Sequence, residues 1–271
     1  MTVGFNHLGR LGQLGNQMFQ FAATKGIARK LGVPYMIPDH HESIRDALGN
    51  NLHIELFKCF NLKPDNTGFV DPDKFLKEEG FHYQNKFFNA DRRHDFSLYG
   101  FFQTEKYFKH IEDEIRQDFK FNSTIQGECE PIVDEIFEQA PIALHIRRGD
   151  FLINSGNHHN LSLDYYEEAL SKFAPDREVV LFSDDIFWAS SQKLFQPDRF
   201  LLSEGNSSYH DLYLMTQCSD FIIANSTFSW WGAWLGNCGR VIAPSKWFGP
   251  NNAHLNIQDL YPEHWEIVNN G

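Results

Sequence analysis

From residue 141 onward the sequence alternates short apolar runs with amphipathic stretches, and this alternation constrains the fold more than any other feature. The apolar runs predict strands, and the stretches between them have the apolar spacing of helices. The predicted strands are 141–147, 178–183, 199–202, 221–224 and 240–243, and the predicted helices are 163–173, 186–195, 209–217 and 228–235. Regular alternation of this kind favours a parallel, doubly wound α/β sheet.

The first part of the chain is less regular but contains one clear helix. Apolar residues recur every fourth position from Phe19 to Leu31, which places them along one helix face. Gly32 and Pro34 follow, and this order is typical of a helix C-terminus. We expect the next strand at 35–37.

The change in the pattern of apolar runs near Pro141 predicts two domains. The 271 residues also exceed the usual size of one domain, about 100–150 residues. We predict a looser α/β domain over residues 1–140, with a second amphipathic helix at 106–121, and the regular α/β domain over residues 141–271.

The charge balance excludes whole classes of partner. The 36 acidic residues outnumber the 24 lysines and arginines, which gives a formal net charge of −12. Nucleic acids and anionic membranes are bound by clustered cations, so we expect neither as a partner. The sequence has no apolar run long enough to span a bilayer and no signal-peptide pattern, and we expect a cytoplasmic protein without a membrane span.

The cysteines indicate neither a disulfide scaffold nor a zinc site. There are only four, and no two are spaced as CxxC. We expect free thiols at Cys59, Cys129, Cys218 and Cys238.

Polar clusters follow three of the predicted strands. They are HIRRGD at 145–150, SDD at 183–185 and NST at 225–227. Open α/β sheets bind ligands at the carboxyl ends of their strands, so we expect folding to bring these clusters to one edge.

Arg147 is the cation of these clusters that best suits a ligand. Side chains two apart on a strand share a face, so Arg147 lies with His145 and Arg148 points elsewhere. We expect Arg148 and Asp150 to form a structural ion pair. A guanidinium facing a loop that starts a helix suits a diphosphate, because its fork binds phosphate oxygens and helix amides add positive charge.

The paired aspartates allow two interpretations. Asp184 or Asp185 could accept hydrogen bonds from guanine, which offers paired N–H donors to one carboxylate. An aspartate after a strand also often caps the next helix, and we expect one of the two to do only that.

A glycine-rich run leads into the first helix. Gly9, Gly12 and Gly15 are spaced by three, which lets backbone pass close to a ligand. The run lacks the dinucleotide fingerprint GxGxxG and the lysine of a P-loop. Asn16 and Gln17 at the helix start either face a cleft or cap the helix.

Seven segments together resemble a known family. They occur in the family's order over residues 4–267, and they are GNQMFQ at 15–20, GFFQTEKYF at 100–108, HIRRGD at 145–150, SLDYY at 162–166, SDD at 183–185, DLYLM at 211–215 and NSTFSWWGAW at 225–234. The chain resembles the α-1,2-fucosyltransferases of glycosyltransferase family 11.

The resemblance implies a GT-B fold, with two Rossmann-like α/β domains facing a cleft. It implies an N-terminal acceptor domain over 1–140 and a C-terminal domain over 141–271 that binds GDP-fucose. The implied reaction is an inverting, metal-independent transfer of L-fucose from GDP-fucose to the 2-hydroxyl of a terminal galactose on an oligosaccharide. No cofactor is expected.

Residue roles also follow from the resemblance alone. Arg147 would hold the β-phosphate, and His145 would contact the guanosine together with Asp184 or Asp185. The catalytic residues would be Arg147, His145 and Asn16. The remaining contacts to the donor would come from Gly15, Asn16, Gln17, Asn225, Ser226 and Thr227.

The general base stays open. In-line attack benefits from a group that takes the proton of the acceptor hydroxyl. The candidates are Asp39, His40, Glu42 and Asp46, and the sequence does not choose among them.

We expect no metal site. Asp71 and Asp73 imitate the DxD motif of other glycosyltransferases, but the intervening proline favours a turn. The neighbouring His40 and His41 rarely share one ion. We expect His158 to lie in a solvated loop.

Three other functions are alternatives. A Rossmann oxidoreductase is disfavoured because no strand is followed by GxGxxG. A non-catalytic carbohydrate-binding protein would explain the many aromatic residues, but it would not explain the clustered arginines and carboxylates. Trp230 and Trp234 could stack on a sugar, yet a buried helix face is the favoured interpretation. A fucosyltransferase of another linkage is the third alternative.

Overall fold

A computed structural model describes residues 1–71, 74–136, 140–236 and 239–270, and its contacts divide them into two units. The first unit consists of Met1–Asn122 and Leu255–Glu263, and the second of Ser123–His254 and His264–Gly271. The predicted domain boundary after residue 140 stays a prediction, while the units divide after Asn122.

The first unit contains a parallel five-stranded sheet of very short strands. The strand order is β5-β2-β1-β7-β6, and β3 and β4 form a separate antiparallel pair. The strands are β1 (Val3–Gly4), β2 (Tyr35–Ile37), β3 (Ile44–Arg45), β4 (Asn51–Leu52), β5 (Asn66–Thr67), β6 (Phe75–Lys77) and β7 (Phe96–Tyr99). The helices are α1 (Leu14–Leu31), α2 (Leu56–Cys59) and α3 (Glu112–Asp118).

Helix α1 is the core of this unit and confirms the prediction. Fifteen of its eighteen residues are buried, because the helix packs on the sheet and on the segments around it. Gly32 ends it with φ 68°, and its N–H donates to the carbonyls of Ala28 and Arg29. This left-handed conformation suits glycine. The predicted strand at 35–37 is β2.

The prediction of one helix over 106–121 is wrong. Short 3₁₀ turns occupy Glu105–Tyr107 and Lys109–Ile111, and only Glu112–Asp118 is α-helical. Tyr107 and the adjacent Phe108 are both fully buried. Phe108 lies between the two 3₁₀ turns with φ −133°, which is outside the helical region, so one continuous helix does not pass through it.

The second unit contains a six-stranded sheet, β10-β9-β8-β11-β12-β13, in which every pair is parallel. The strands are β8 (Ile142–Ile146), β9 (Val179–Ser183), β10 (Phe200–Leu202), β11 (Asp220–Ile222), β12 (Val241–Pro244) and β13 (Glu266–Val268). The helices are α4 (Ser123–Ile136), α5 (Gly149–Ile153), α6 (Leu163–Leu170), α7 (Ile186–Ser191), α8 (Ser208–Gln217) and α9 (Thr227–Leu235). All five predicted strands are confirmed.

The chain reverses direction across the sheet between β8 and β11. From β8 it adds β9 and β10 on one side, and then returns to place β11, β12 and β13 on the other. A reversal of this kind opens a crevice at the carboxyl ends of the two central strands, where doubly wound folds bind ligands. The segments after β8 and β11 are two of the predicted polar clusters.

The tryptophans of α9 belong to the core of the second unit. Trp230 and Trp231 are fully buried, and Trp234 is 4% exposed. The rings of Trp230 and Trp265 lie 5.3 Å apart between centroids. The interpretation of Trp230 and Trp234 as a buried helix face is confirmed.

Two smaller findings concern cysteines and membranes. Cys59, Cys129 and Cys218 are buried free thiols, and Cys238 lies outside the described residues. Among the described residues, the helices all fall short of the length and apolarity needed to cross a bilayer.

Candidate functional site

Strand β8 and the segment that follows it place His145 and Arg147 at the crevice. All five residues of the strand are buried, and its last residue, Ile146, pairs with Ser183 at the end of β9. The segments that follow these two strands therefore leave the sheet side by side.

Arg147 lies between two carboxylates. Its Nη2 contacts Asp150 Oδ1 at 2.5 Å, and its Nη1 contacts Asp184 Oδ2 at 3.0 Å. The guanidinium also lies over the ring of Phe151, 5.3 Å from the centroid. These contacts fix the orientation of a cation whose side chain is still 22% exposed. The guanidinium has five N–H donors, so others remain for a ligand.

The predicted ion pair between Arg148 and Asp150 is wrong. Arg148 Nε instead donates to Asp185 Oδ2 at 3.1 Å, and the guanidinium stacks 3.8 Å from the centroid of Trp188. The strand ends at Ile146, so its alternation does not determine where the next two side chains point. Both arginines pair with aspartates that follow β9, and Asp150 pairs with Arg147.

The two aspartates after β9 differ in their contacts. Asp185 caps α7, because its Oδ1 accepts from the Trp188 N–H at 3.2 Å. The predicted cap is confirmed, but Asp185 is not only a cap, because its Oδ2 also pairs with Arg148. Asp184 accepts from the Arg148 N–H at 2.8 Å in addition to its contact with Arg147.

Gly149 leaves the space in which the Asp184 carboxylate lies. A Cβ at this position would be 2.4 Å from Asp184 Oδ2, the atom that contacts Arg147. Any side chain at 149 would displace that carboxylate. The glycine of HIRRGD therefore leaves room for the contact between Arg147 and Asp184.

His145 is buried and uncharged. Burial and, to a smaller extent, the nearby positive charge of Arg147 lower the pKa of its imidazole from 6.5 to about 3. Its ring lies 5.5 Å from that of Phe228 in the first turn of α9, so this helix begins beside the end of β8. In the described part of the chain, the buried Nδ1 of His145 has no hydrogen-bond partner.

The segment NST at 225–227 forms the start of α9. Asn225 is buried, and its Nδ2 donates to the carbonyls of His159 at 2.8 Å and Trp247 at 2.9 Å, which holds two loops together. Ser226 is extended and its side chain caps none of the described amides of the first turn. Those amides and the partly buried Thr227 hydroxyl are therefore available to an anion.

His158 belongs to this site, although the sequence predicted a solvated loop. Its ring stacks on Phe151 at 3.9 Å with an interplanar angle of 11°. Burial lowers the pKa of His158, Asp150 partly opposes that shift, and Arg147 lowers the pKa further. No spacing in the sequence predicts this contact, because it depends on how the loop after α5 folds back.

The predicted residues of the first unit lie at the start of α1. Gly15 is buried in the first turn. Asn16 Oδ1 accepts from Gln103 Nε2 at 2.9 Å. Gln17 is fully buried, and its Oε1 accepts from the Glu55 N–H at 2.8 Å. Its side chain thus ties α1 to a neighbouring loop, and a ligand contact from Gln17 stays a prediction.

The four candidate bases have different surroundings. Asp39 Oδ1 contacts His40 Nδ1 at 2.7 Å, and both side chains are exposed. Glu42 is exposed as well. Asp46 is occupied in a turn, because its Oδ1 accepts from the N–H groups of Leu48 and Asn50 at 2.9 and 2.8 Å.

The residues considered as metal ligands are only partly described by the structure. Within 1–71, 74–136, 140–236 and 239–270, the side chains form no group of three or more His, Cys, Asp or Glu that could hold an ion. Asp71 is in this part of the chain, whereas Asp73 lies outside the described residues.

Curated relatives are enzymes that transfer sugars. The chain is 31% identical to the α-1,2-colitosyltransferase of Escherichia coli, over 94% of this chain and 95% of that protein. It is 28% identical to the O-antigen biosynthesis glycosyltransferase WbnK of Escherichia coli, over 89% and 94%. Human galactoside α-(1,2)-fucosyltransferase 1 is 24% identical, over 91% of this chain and 69% of that protein.

Solved fucosyltransferase structures share the fold. NodZ α-1,6-fucosyltransferase soaked with GDP-fucose superposes with a TM-score of 0.54 at 15% identity, covering 94% of this chain and 97% of that chain. POFUT1 in complex with GDP superposes with a TM-score of 0.53 at 13% identity, covering 89% and 97%. The fold is GT-B, as the sequence resemblance implied. The sequence profile of glycosyl transferase family 11 matches residues 3–269, and the chain belongs to this family of glycosyltransferases.

Proposed function

We propose that the chain transfers L-fucose from GDP-fucose to the 2-hydroxyl of a terminal galactose on an oligosaccharide, with inversion at the anomeric carbon. Family membership supports sugar transfer. The activity for which the human relative is named supports the acceptor position and the linkage. The shared fold with a fucosyltransferase soaked with GDP-fucose supports the donor.

The placement of Arg147 at the crevice between β8 and β11 carries this proposal. Its guanidinium is held by Asp150 and Asp184 and keeps N–H donors for a ligand. The first turn of α9 begins beside the same strand end. A fixed cation and open helix amides suit the negative charge that builds on GDP as the glycosidic bond breaks.

The other donor contacts follow from the same surroundings. His145 is neutral and buried, so it would contact the guanosine as a hydrogen-bonding group without adding charge. The carboxylate of Asp184 would accept from the guanine edge, since each oxygen can accept more than one hydrogen bond. Asp185 already caps α7, which favours Asp184 for this role.

The reaction as proposed needs neither a cofactor nor a metal. Arg147 and the amides of α9 would supply the positive charge that a cation supplies in other glycosyltransferases. In the first unit, Asn16 would contact the transferring sugar. Asp39, His40 and Glu42 stay open as the base that accepts the proton of the acceptor hydroxyl.

Colitose is a second candidate for the transferred sugar. The relative named α-1,2-colitosyltransferase is 31% identical over 94% of this chain, a higher identity than the human fucosyltransferase has. Colitose is L-fucose without the 3-hydroxyl group. GDP-colitose would therefore present the same diphosphate and base to the donor site.

A competition assay distinguishes the two donors. Purified protein is given equal GDP-fucose and GDP-colitose with a panel of galactose-terminated oligosaccharides, and the products are analysed by mass spectrometry and by NMR for the linkage. We expect fucosylated products with an α-1,2 linkage. If only colitosyl transfer is observed, GDP-colitose replaces GDP-fucose as the proposed donor. Binding of GDP, measured by thermal shift, with no transfer to any acceptor would favour a non-catalytic binding protein.

A further inference from the structure

The segment Gly100-Phe-Phe-Gln103 is not explained by the proposed donor site. It follows β7 in the first unit and turns sharply. Gly100 has φ 155°, and a Cβ there would lie 2.5 Å from the Cβ of Glu78. Phe102 has φ 54°, which is uncommon for a bulky residue. Such a conformation persists only where its surroundings hold it in place.

Glu78 holds this turn. Its Oε2 accepts from the backbone N–H groups of Phe101 at 2.8 Å and of Phe102 at 2.9 Å. Gln20 of α1 reaches the same turn, because its Nε2 donates to the Leu11 carbonyl at 2.9 Å and to the Gly100 carbonyl at 3.4 Å. The turn is therefore fixed from two sides, and Gln103 follows it directly.

The fixed turn places Gln103 against Asn16. The Gln103 side chain is almost fully buried, and its Nε2 donates to Asn16 Oδ1 at 2.9 Å. On the other side of Asn16, a Cβ on Gly12 would lie 2.1 Å from Nδ2, so only a glycine fits there. Asn16 itself is partly exposed. The Asn16 carboxamide therefore lies between Gly12, which has no side chain, and the buried amide of Gln103, which donates to it.

We propose that Gln103 is a positioning residue that fixes the orientation of the Asn16 carboxamide, with Oδ1 toward Gln103 and the Nδ2 donor available to the transferring sugar. The inference deepens the proposed function and rests on it for the role of Asn16. A carboxamide that can flip presents its oxygen to the sugar about half of the time, whereas a fixed carboxamide always presents its Nδ2 donor. Preorganised donors are the ones that assist a reaction.

The test uses Gln103→Leu and Gln103→Glu in the full chain, each alone and combined with Asn16→Ala. Leucine removes the donor to Asn16 Oδ1, and glutamate offers only acceptors, so Asn16 would turn its Nδ2 inward. We expect each single Gln103 variant to lower kcat about 10- to 100-fold. Added to Asn16→Ala, neither variant should lower kcat further, because Gln103 acts through Asn16.

Two controls separate positioning from folding. Gln20→Leu removes hydrogen bonds to the turn that places Gln103, so we expect a lowered Tm and a loss of kcat that, like that of the Gln103 variants, adds nothing to Asn16→Ala. Gln217→Leu, an exposed glutamine at the end of α8, should change neither kcat nor Tm. The side-chain amide resonances of Asn16, assigned by their loss in Asn16→Ala, should shift in both Gln103 variants and not in Gln217→Leu.

Several results would overturn the inference. If the losses of kcat in Gln103→Leu and Asn16→Ala multiply in the double variant, Gln103 acts independently of Asn16. If the Asn16 amide resonances do not shift in the Gln103 variants, the hydrogen bond does not hold the carboxamide. Wild-type kcat in Asn16→Ala would remove the role of Asn16. If the wild-type chain transfers no sugar, the proposed function fails instead, and the resonances still decide whether Gln103 fixes Asn16.

Discussion

Arg147 and Asp184 form an ion pair of 3.0 Å between Nη1 and Oδ2, and this pair joins the segment after β8 to the segment after β9. The cation is thus held by the neighbouring strand as well as by Asp150 in its own segment. A guanidinium fixed in this way loses little entropy when it binds phosphate.

We expect Arg147→Ala to lower kcat about 10²- to 10³-fold at saturating GDP-fucose. A preorganised donor that meets charge in the transition state is typically worth about 3–4 kcal/mol. Arg147→Lys should restore little, because a point charge does not reproduce the bidentate fork. The measurement is steady-state transfer by folded protein, with Tm checked first because the substitution leaves two carboxylates unpaired.

Arg240→Ala is the matched control for this variant. Arg240 pairs with Glu266 Oε2 at 2.6 Å, and its backbone N–H donates to Asp220 at the start of β11, away from the carboxyl ends of the strands. We expect wild-type kcat for Arg240→Ala. A folded Arg147→Ala protein that keeps more than about a tenth of the wild-type kcat would contradict the role of Arg147.

Arg148→Ala should reduce stability more than activity. The guanidinium stacks on Trp188 and pairs with Asp185, the cap of α7. A partly desolvated cation–π contact and an ion pair of this exposure together contribute about 1–2 kcal/mol. We expect a lowered Tm, with kcat within about tenfold of wild type. The double variant with Trp188→Leu should show less than additive destabilisation, and full additivity would mean that the stack contributes nothing.

The regular part of the fold was predictable because its strands are apolar and bounded by turns. β8 to β12 and α1 follow from periodicity alone. The strands of the first unit were not predictable beyond β2, since most of them have two or three residues and lie in stretches of mixed polarity without regular alternation with helices. Helix α4, in which Pro131 interrupts the pattern, and β13, with its charged Glu266, also gave no clear signal.

The candidate site was predictable in position but not in its contacts. Three polar clusters after three strands were sufficient to predict the edge of the sheet at which they lie. Alternation along β8 did not extend past Ile146, so Asp150, the predicted partner of Arg148, pairs with Arg147 instead. Contacts such as His158 on Phe151, or Gln103 on Asn16, join residues through loops, and no periodicity describes a loop.

We expect turnover to be insensitive to chelation. Arg147 and the amides at the start of α9 would supply the positive charge for the leaving diphosphate. Protein dialysed against EDTA should therefore retain nearly its full kcat. Recovery of a lost activity by Mn²⁺ or Mg²⁺ would contradict this prediction, and it would make Asp71 and Asp73 the first residues to substitute.

Asp46 should prove to be a structural residue and not the general base. Its carboxylate is occupied by the Asn50 side chain and by the backbone N–H groups of Leu48 and Asn50, contacts that lower its pKa despite partial burial. We expect Asp46→Ala to lower Tm. Asp46→Asn keeps an Oδ1 acceptor for the turn but has no proton affinity at neutral pH, so it should keep both Tm and kcat. A folded, inactive Asp46→Asn protein would identify Asp46 as the base.

Glu78 should make stability depend on pH. Burial raises the pKa of its carboxyl group from 4.5 to about 7, although the N–H groups of Phe102 and Phe101 and the positive charge of Lys86 oppose the shift. Between these two values the folded chain holds a proton that the unfolded chain releases. The contribution of Glu78 therefore makes the free energy of unfolding fall as the pH rises through this interval, and level off above about pH 7.

Glu78→Gln tests this dependence, because glutamine is neutral at every pH and its Oε1 can still accept from the two N–H groups of the turn. Urea denaturation of both proteins between about pH 5 and pH 8 gives the difference in unfolding free energy, in which the contributions of other groups cancel. We expect the variant to gain stability relative to wild type as the pH rises. Glu79→Gln, at the exposed neighbouring position, should leave the pH profile unchanged. A difference that stays constant over this range would mean that Glu78 titrates alike in the folded and unfolded chains.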